Sequence, residues 1–273
     1  AFDYIGEASI GWCGYPLDKR IFPWNHANCG DLNLSGERRP QSYLRETLWS
    51  DAPVSHIVVT PPVPSFPLNP DKADWSVWDF PDVVDHWNFP GYEGKKMTVS
   101  VYSNCEQVEL FLNGESLGKQ ENTADKKNTL VWEVPYAHGI LKAVSYNKGG
   151  EVGTATLESA GKVEKIRLSA DRTEIVADGN DLSYITLELV DSKGIRNQLA
   201  EELVEFSIEG DATIEGVGNA NPMSIESFVA NSRKTWRGSN LLVVRSGKSS
   251  GRIIVTAKVK ALPVASITIT QKK

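Results

Sequence analysis

Short runs of alternating apolar and polar residues, separated by turn residues about every ten positions, dominate this chain beyond Gly94. Such spacing is typical of an all-β sandwich. The first set of predicted strands ends near Gly161 and comprises Met97–Tyr102, Val108–Leu112, Leu130–Val134, Ile140–Tyr146 and Val152–Leu157. Asn113-Gly114 and the turn at 147–150 mark hairpins, because Asn and Gly accept the positive φ angles of tight turns.

A second set of alternating runs follows and predicts a second sandwich. Its strands are Ile166–Leu168, Tyr184–Val190, Leu203–Ile208, Leu241–Arg245, Ile253–Val259 and Ala265–Thr270. Helical periodicity is almost absent after residue 94, which argues against a parallel sheet with crossover helices. The sequence therefore predicts a mainly β chain with two immunoglobulin-like β-sandwiches, since 273 residues exceed the roughly 100–150 of a single domain.

The residues before Gly94 have a different sequence pattern from the alternating runs that follow. Residues 39–49 predict a short amphipathic helix, with Pro40 in its first turn and Leu44 and Leu48 on one face that needs a partner surface. The stretch 52–94 is rich in Pro and Trp, which favours an extended connector over a helix or a central strand. Phe2–Cys13 opens in an apolar, aromatic run without a polar lead-in, so we read the start as a cut through a larger protein.

Charge and composition argue against several classes of function. Lys and Arg total 29 against 35 Asp and Glu, and no basic run could follow a phosphate backbone, so we expect no nucleic-acid partner. No stretch reaches the roughly 18 apolar residues of a membrane span, so we expect no membrane partner. Three cysteines predict no disulfide framework, although Cys13 and Cys29 could pair.

Metal and cofactor motifs are also missing from the sequence. The four histidines are scattered, without ligand spacing to each other or to cysteine, and we assign no metal site. The turn at 178–181 is rich in carboxylates but lacks the later Glu and Gly positions of an EF-hand loop, so we interpret it as a β-turn. No Gly-rich loop opens a helix after a strand, and no cofactor is expected.

Several motifs resemble one enzyme family over essentially the whole chain. They are Phe2-Asp3-Tyr4-Ile5-Gly6-Glu7, Gly30–Gly36 with Arg39–Tyr43 and Leu48-Trp49, Trp87–Gly91 with Glu93–Lys95, Val108–Gly114 with Ser116–Gly118, Val134–Tyr136, and Ala177–Gly179 to Thr186 with Asp191, Gly194 and Gly216–Asn219. In this order they resemble the end of the catalytic (β/α)₈ barrel and the following domains of β-galactosidase-like members of glycoside hydrolase family 2.

The resemblance implies a division of the chain into four parts. Residues 1–51 would be a short α/β remnant of the end of the barrel, 52–94 a connector, 95–161 the first sandwich and 162–273 the second. In the family both catalytic glutamates precede the Phe-Asp-Tyr stretch, so no catalytic residue is assigned here. The chain would be inactive alone, and its partners would be the missing barrel, the carbohydrate substrate of the parent and, in addition, a homo-oligomeric copy.

The resemblance also implies that the parent cleaves β-galactosides or related glycans by the retaining two-carboxylate route. Enzymes of this kind are often exported, which places the parent in the periplasm or outside the cell. Candidate sugar contacts in the intact parent are Asp3 and Glu7, at the level where barrel strands end, and Trp24 and Asn25, which belong to an aromatic and polar group. Packing at the barrel rim would account for the same residues.

Two alternatives from other classes stay open on sequence grounds. The sandwiches could be a carbohydrate-binding or surface-adhesion module, in which case a row of exposed Trp or Tyr should line one sheet face. They could also be a structural spacer, in which case no concave aromatic pocket should occur. The same question applies to Trp75, Trp78, Trp87 and Tyr92 in the connector, where anchoring of a long loop competes with a sugar platform.

Overall fold

Strands supply nearly all regular structure in the computed structural model, which describes residues 23, 30–66 and 81–273. In those ranges the chain is mainly β, as predicted, and it separates into two compact units, the first ending at Ser159 and the second spanning Ala160–Lys273. No described helix is long and apolar enough to cross a bilayer. The predicted site residues Asp3, Glu7, Trp24 and Asn25 lie outside the described residues, as do Cys13, Cys29, Trp75 and Trp78.

The first unit contains one α-helix and two antiparallel sheets among its described residues. The elements are α1 (Ser42–Trp49), β1 (Ser55–Val59), β2 (Lys96–Ser103), β3 (Gln107–Leu112), β4 (Glu115–Glu121), β5 (Thr129–Pro135), β6 (Ile140–Asn147) and β7 (Gly150–Glu158). One sheet has the order β1-β2-β5 and the other β4-β3-β6-β7. Alternate side chains of both sheets bury one apolar core, which is the arrangement of a β-sandwich.

The second unit has two further sheets that share a second core. Its strands are β8 (Lys165–Ala170), β9 (Glu174–Val176), β10 (Leu182–Val190), β11 (Leu203–Glu209), β12 (Ala212–Gly218), β13 (Ser232–Lys234), β14 (Ser239–Ser246), β15 (Gly251–Val259) and β16 (Ala265–Lys272). The sheet orders are β12-β14-β10-β8 and β13-β11-β15-β16-β9. The β16–β9 pair is parallel, and the other named pairs are antiparallel.

The hairpin predictions are confirmed by backbone angles. Asn113 and Gly114 both have positive φ, 52° and 88°, between β3 and β4. Lys148 and Gly149 repeat the pattern, at 51° and 78°, between β6 and β7. Two successive positive φ angles make a turn whose twist matches that of the flanking strands, so the local sequence sets the register of both hairpins.

Residues 52–94 do more than connect two folded parts. Ser55–Val59 forms edge strand β1, which pairs with β2 from Ser55↔Ser103 to Val59↔Val99. Val84 exchanges two backbone hydrogen bonds with Val59. Trp87 is fully buried in the first core, where its indole N–H donates to the Ala137 carbonyl at 2.9 Å. The anchoring interpretation of Trp87 is therefore confirmed, and the edge position of β1 agrees with the nearby prolines.

Candidate functional site

The region that carries the candidate site is the packing of α1 against β1 and β2. We call this the helix platform: α1, the facing residues of β1 and β2, and the loop residues that bind the helix. The predicted sugar contacts Asp3, Glu7, Trp24 and Asn25 are outside the described ranges and stay predictions.

Helix α1 begins later than the sequence predicts. Its N-cap is Gln41, so Pro40 precedes the helix instead of lying in its first turn. The cause is a compact loop before it, in which Arg39 N–H donates to the Asp31 carbonyl at 2.8 Å and Asn33 Oδ1 accepts from Glu37 N–H at 3.1 Å. These bonds use residues 37–39 for the loop, and helical geometry starts only after them.

The inner side of α1 packs on a small apolar cluster. Tyr43 and Leu44 lie against the buried side chains of Val58, Val83 and Tyr102. Because this contact joins the helix to both β1 and β2, burying it fixes the angle of α1 on the sheet. The predicted need of the helix for a partner surface is thus met by the first unit, at its Leu44 end.

Side-chain amides fix the other end of the helix. Asn128, in the left-handed region at φ 60°, donates from Nδ2 to Thr47 Oγ1 at 3.0 Å. Asn104 donates from Nδ2 to the carbonyls of Ser50 and Ala52, at 3.0 and 2.9 Å, and its Oδ1 accepts from Val54 N–H at 2.7 Å. Asn104 and Asn128 therefore fix the chain where it leaves α1. Backbone carbonyls at the end of a helix have no partner within the helix, and side-chain amides of this kind can bind them.

A stack of side chains covers one side of the platform. The rings of Tyr43 and His56 are parallel within 12° with centroids 3.5 Å apart, and the Arg38 guanidinium carbon is 3.9 Å from the Tyr43 centroid. Arg38, in the loop before the helix, also pairs with Glu46 of α1 at 2.8 Å. The Tyr43–His56 stack holds the helix against β1, and the ion pair joins the helix to the loop that precedes it.

The pKa of His56 is lowered by this packing. Burial lowers its pKa from 6.5 to about 4; the Arg38 charge acts in the same direction, whereas the Asp85 and Glu46 carboxylates oppose it. Its Nε2 is buried without a hydrogen-bond partner. His56 is therefore neutral near pH 7, and protonating it would place a positive charge in the stack without a partner for Nε2.

Two apolar side chains at the outer end of α1 are largely exposed. Leu48 is 65% exposed and Trp49 70% exposed, although Leu48 is four residues from Leu44. Leu44 and Leu48 are four residues apart on one face, as predicted, but within the described residues only Leu44 meets the apolar cluster. The helix ends at Trp49, and the apolar cluster of the first unit reaches Tyr43 and Leu44 only, so Leu48 projects past that cluster. An exposed apolar pair on an anchored helix is suited to contact with another protein surface.

Exposed aromatic side chains do not form a row in the described part of the chain. The first core buries Trp87, Phe89, Trp132 and Tyr136. The rings of Trp87, Phe89 and Tyr136 meet edge to face. The largely exposed aromatics are Trp49, Tyr184 and Phe228, which lie on a helix, a strand and a loop. The described residues thus lack the sheet-face platform that a carbohydrate-binding module should present.

The carboxylate-rich turn at 178–181 is a turn stabilised by its own backbone. Asp178 Oδ1 accepts from Asn180 and Asp181 N–H at 2.8 and 2.9 Å, which lowers the pKa of that carboxyl. Asp181 Oδ2 accepts from Val176 N–H at 2.8 Å. These oxygens bind backbone amides of the same segment, which agrees with the interpretation of these carboxylates as turn-forming residues. The described ranges contain no group of three or more His, Cys, Asp or Glu able to hold a metal ion.

Comparison with known proteins places this geometry in a family. Residues 166–268 match the model of glycoside hydrolase family 2 C-terminal domain 5, and residues 94–153 match a domain of unknown function, DUF4982. A crystal structure of a glycosyl hydrolase family 2 member from Bacteroides cellulosilyticus is 97% identical, with a TM-score of 0.94 over 98% of this chain. The chain belongs to glycoside hydrolase family 2.

Curated relatives extend the family relationship over the full sequence. Beta-galactosidase BoGH2A of Bacteroides ovatus is 31% identical over 100% of the chain, and a beta-galactosidase of Thermoanaerobacter pseudethanolicus is 30% identical over 63%. A putative beta-glucuronidase of Formosa agariphila is 28% identical over 81%. The chain spans 28%, 23% and 18% of these family 2 proteins, and 35% of the B. cellulosilyticus chain, so it corresponds to part of a larger protein.

Few features of the sequence predict the helix platform. Its main contacts join residues that are distant in the chain, such as Asn128 and Thr47, which are 81 positions apart. His56 is a lone histidine among prolines, without a ligand-like spacing. The usable signal was the Leu48-Trp49 pair, which belongs to the family resemblance and stays exposed at the end of α1.

Proposed function

We propose that these residues are the non-catalytic C-terminal region of a retaining β-galactosidase-like enzyme, and that their helix platform supports its catalytic barrel. In this proposal residues 1–51 complete the barrel, 95–161 and 162–273 are immunoglobulin-like sandwiches, and 52–94 joins the barrel to the first of them. Both catalytic carboxylates of the retaining route lie in the parent, outside this chain. The substrates are β-galactosides or related glycans.

The single observation that carries the proposal is the exposed apolar end of an anchored helix. Leu44, Thr47 and the residues after Trp49 are bound to the two sheets of the first unit or to their loops. Leu48 and Trp49, in contrast, are outside these contacts and stay largely exposed. If the rest of the barrel covers this pair, α1 packs against both the first sandwich and the barrel. The anchored helix then stabilises the barrel by holding it against the sandwich.

The proposed substrate class and location draw on the relatives. Two curated relatives are β-galactosidases, whereas others are β-glucuronidases, so both glycosides belong in a test. The sugar contacts proposed for the parent are Asp3, Glu7, Trp24 and Asn25. A periplasmic or extracellular location is proposed from the exported character of related enzymes.

The first experiment compares hydrolysis of nitrophenyl glycosides by this chain and by the full-length protein. We expect no turnover by the chain alone and cleavage of the β-galactoside by the full-length enzyme. Turnover by the short chain would contradict the assignment of the carboxylates, and a full-length enzyme that prefers the β-glucuronide would correct the substrate.

The supporting role is tested in the full-length enzyme with L48S/W49S. Removing about 200 Å² of apolar contact at 25 cal/mol per Å² costs roughly 5 kcal/mol if the barrel covers both side chains, so we expect a large fall in the temperature at which activity is lost. V63S is the matched control, because Val63 is similarly exposed but lies outside α1. Equal behaviour of the two variants would refute the support proposal.

A further inference from the structure

The loop between β12 and β13 presents apolar side chains to solvent. Ile225 is 81% exposed, Phe228 51% and Val229 82%. They fall within five consecutive residues, separated by Glu226 and Ser227. Single exposed apolar residues are common on protein surfaces, but three in one short loop form a local patch.

A buried arginine holds this loop from beneath. Arg233 of β13 is almost completely buried and donates from Nη1 to the Val217 carbonyl at 3.1 Å and from Nη2 to Ser224 Oγ at 3.0 Å. Its guanidinium carbon lies 4.2 Å from the Phe228 centroid, and Glu226 Oε2 is 3.9 Å from its Nε. Arginine keeps its charge when buried, so these partners stabilise a costly cation beneath the patch.

The backbone of the loop is also bound, at Phe228 and Asn231. Val217 N–H donates to the Phe228 carbonyl at 2.8 Å, and Phe206 N–H donates to the Asn231 carbonyl at 2.8 Å. Glu226 Oε1 accepts from Lys234 N–H at 3.0 Å. The loop is thus fixed with Ile225 and Val229 outward, and a surface ordered in advance loses less entropy when it binds.

The size of the patch decides between possible occupants. Three side chains of this kind offer on the order of 400 Å² of exposed area, whereas a stable complex of separate proteins buries about 800 Å² on each partner. A contact inside one polypeptide needs less area, because the linkage raises the effective concentration. The 97% identical family 2 protein has such additional chain, since these residues cover 35% of it.

We propose that the loop around Ile225, Phe228 and Val229 docks on another domain of the same polypeptide, outside these 273 residues. The recognised surface is apolar, with a neutral or basic rim opposite the partly exposed Glu226. The proposal rests on family membership and on the geometry of the loop, and it does not depend on the substrate of the enzyme.

The test is cysteine accessibility in the full-length protein. V229C is treated with a maleimide, and the labelled peptide is quantified by mass spectrometry, which separates it from native cysteines such as buried Cys105. V264C is the matched control, because Val264 is 59% exposed in the loop between β15 and β16. We expect V229C to react at least about tenfold more slowly than V264C, equally at high protein concentration and after hundredfold dilution.

Two outcomes would overturn the proposal. Reaction of V229C at the rate of V264C would mean that the loop is open to solvent in the full-length protein. Protection that disappears on dilution would assign the patch to a second copy of the protein. I225C serves as an independent second position, and thermal melting of each variant checks that it is folded before labelling.

Discussion

Protonation of His56 should weaken the helix platform in a defined pH range. Its pKa is about 4 in the folded protein and 6.5 in the unfolded chain. Between these values the unfolded chain binds more protons, so the stability of the first unit should fall as the pH drops through 6.5 and level off below 4. From about pH 8 to about pH 5 this linkage removes roughly 2 kcal/mol.

The variant H56F isolates this effect. Phenylalanine keeps a flat ring against Tyr43, does not titrate, and removes the buried Nε2 that has no partner. The stability of the first unit is measured in the full-length protein by hydrogen exchange of β2 peptides at increasing urea concentrations, at both pH values and corrected for intrinsic exchange rates.

The wild type should lose about 2 kcal/mol more than H56F on acidification. Every other ionisable group is present in both proteins, so the difference between them reports the effect of His56. If wild type and H56F lose equal stability, His56 is protonated as easily in the folded state as in the unfolded chain, and the argument from burial is wrong.

Two further predictions concern the first sandwich. W87F removes the indole donor to the Ala137 carbonyl and leaves a cavity in the first core. The free energy of unfolding, measured by urea titration, should therefore fall by about 3 kcal/mol. An unchanged value would show that residue 87 lies outside the core. G139A should cost about 2 kcal/mol, because φ is 143° and the new Cβ would collide with the Asn113 side chain, whereas G153A, with open space, should stay within about 0.5 kcal/mol in the same titration.

The sequence predicted those parts of the fold that depend on neighbours in the chain. The alternating strands and the Asn113-Gly114 turn need only period-two burial and positive φ angles, and both are present. Strand β1 was missed because flanking prolines resemble a connector, and β12 because a register shift between Ile214 and Gly216 interrupts its pattern.

The candidate site was harder to predict than the fold. The position of α1 depends on Asn128 and Asn104, whose side chains bind backbone far away in sequence. No sequence pattern predicts which distant backbone group an asparagine side chain will bind. The exposure of Leu48 also depends on where the apolar cluster beneath Tyr43 and Leu44 ends. The i, i+4 spacing of Leu44 and Leu48 does not predict the extent of that cluster.

The parallel pairing of β9 with β16 has a consequence for biosynthesis. Lys272 of β16 forms an ion pair of 2.6 Å with Glu174 of β9, 98 positions earlier. Strand β16 lies between β15 and β9 in its sheet, so β9 has no described neighbour before residues 265–272 arrive. A ribosome must therefore translate and release this whole stretch before the second unit can close its five-stranded sheet, and folding of that sheet is slow because its contacts are long-range.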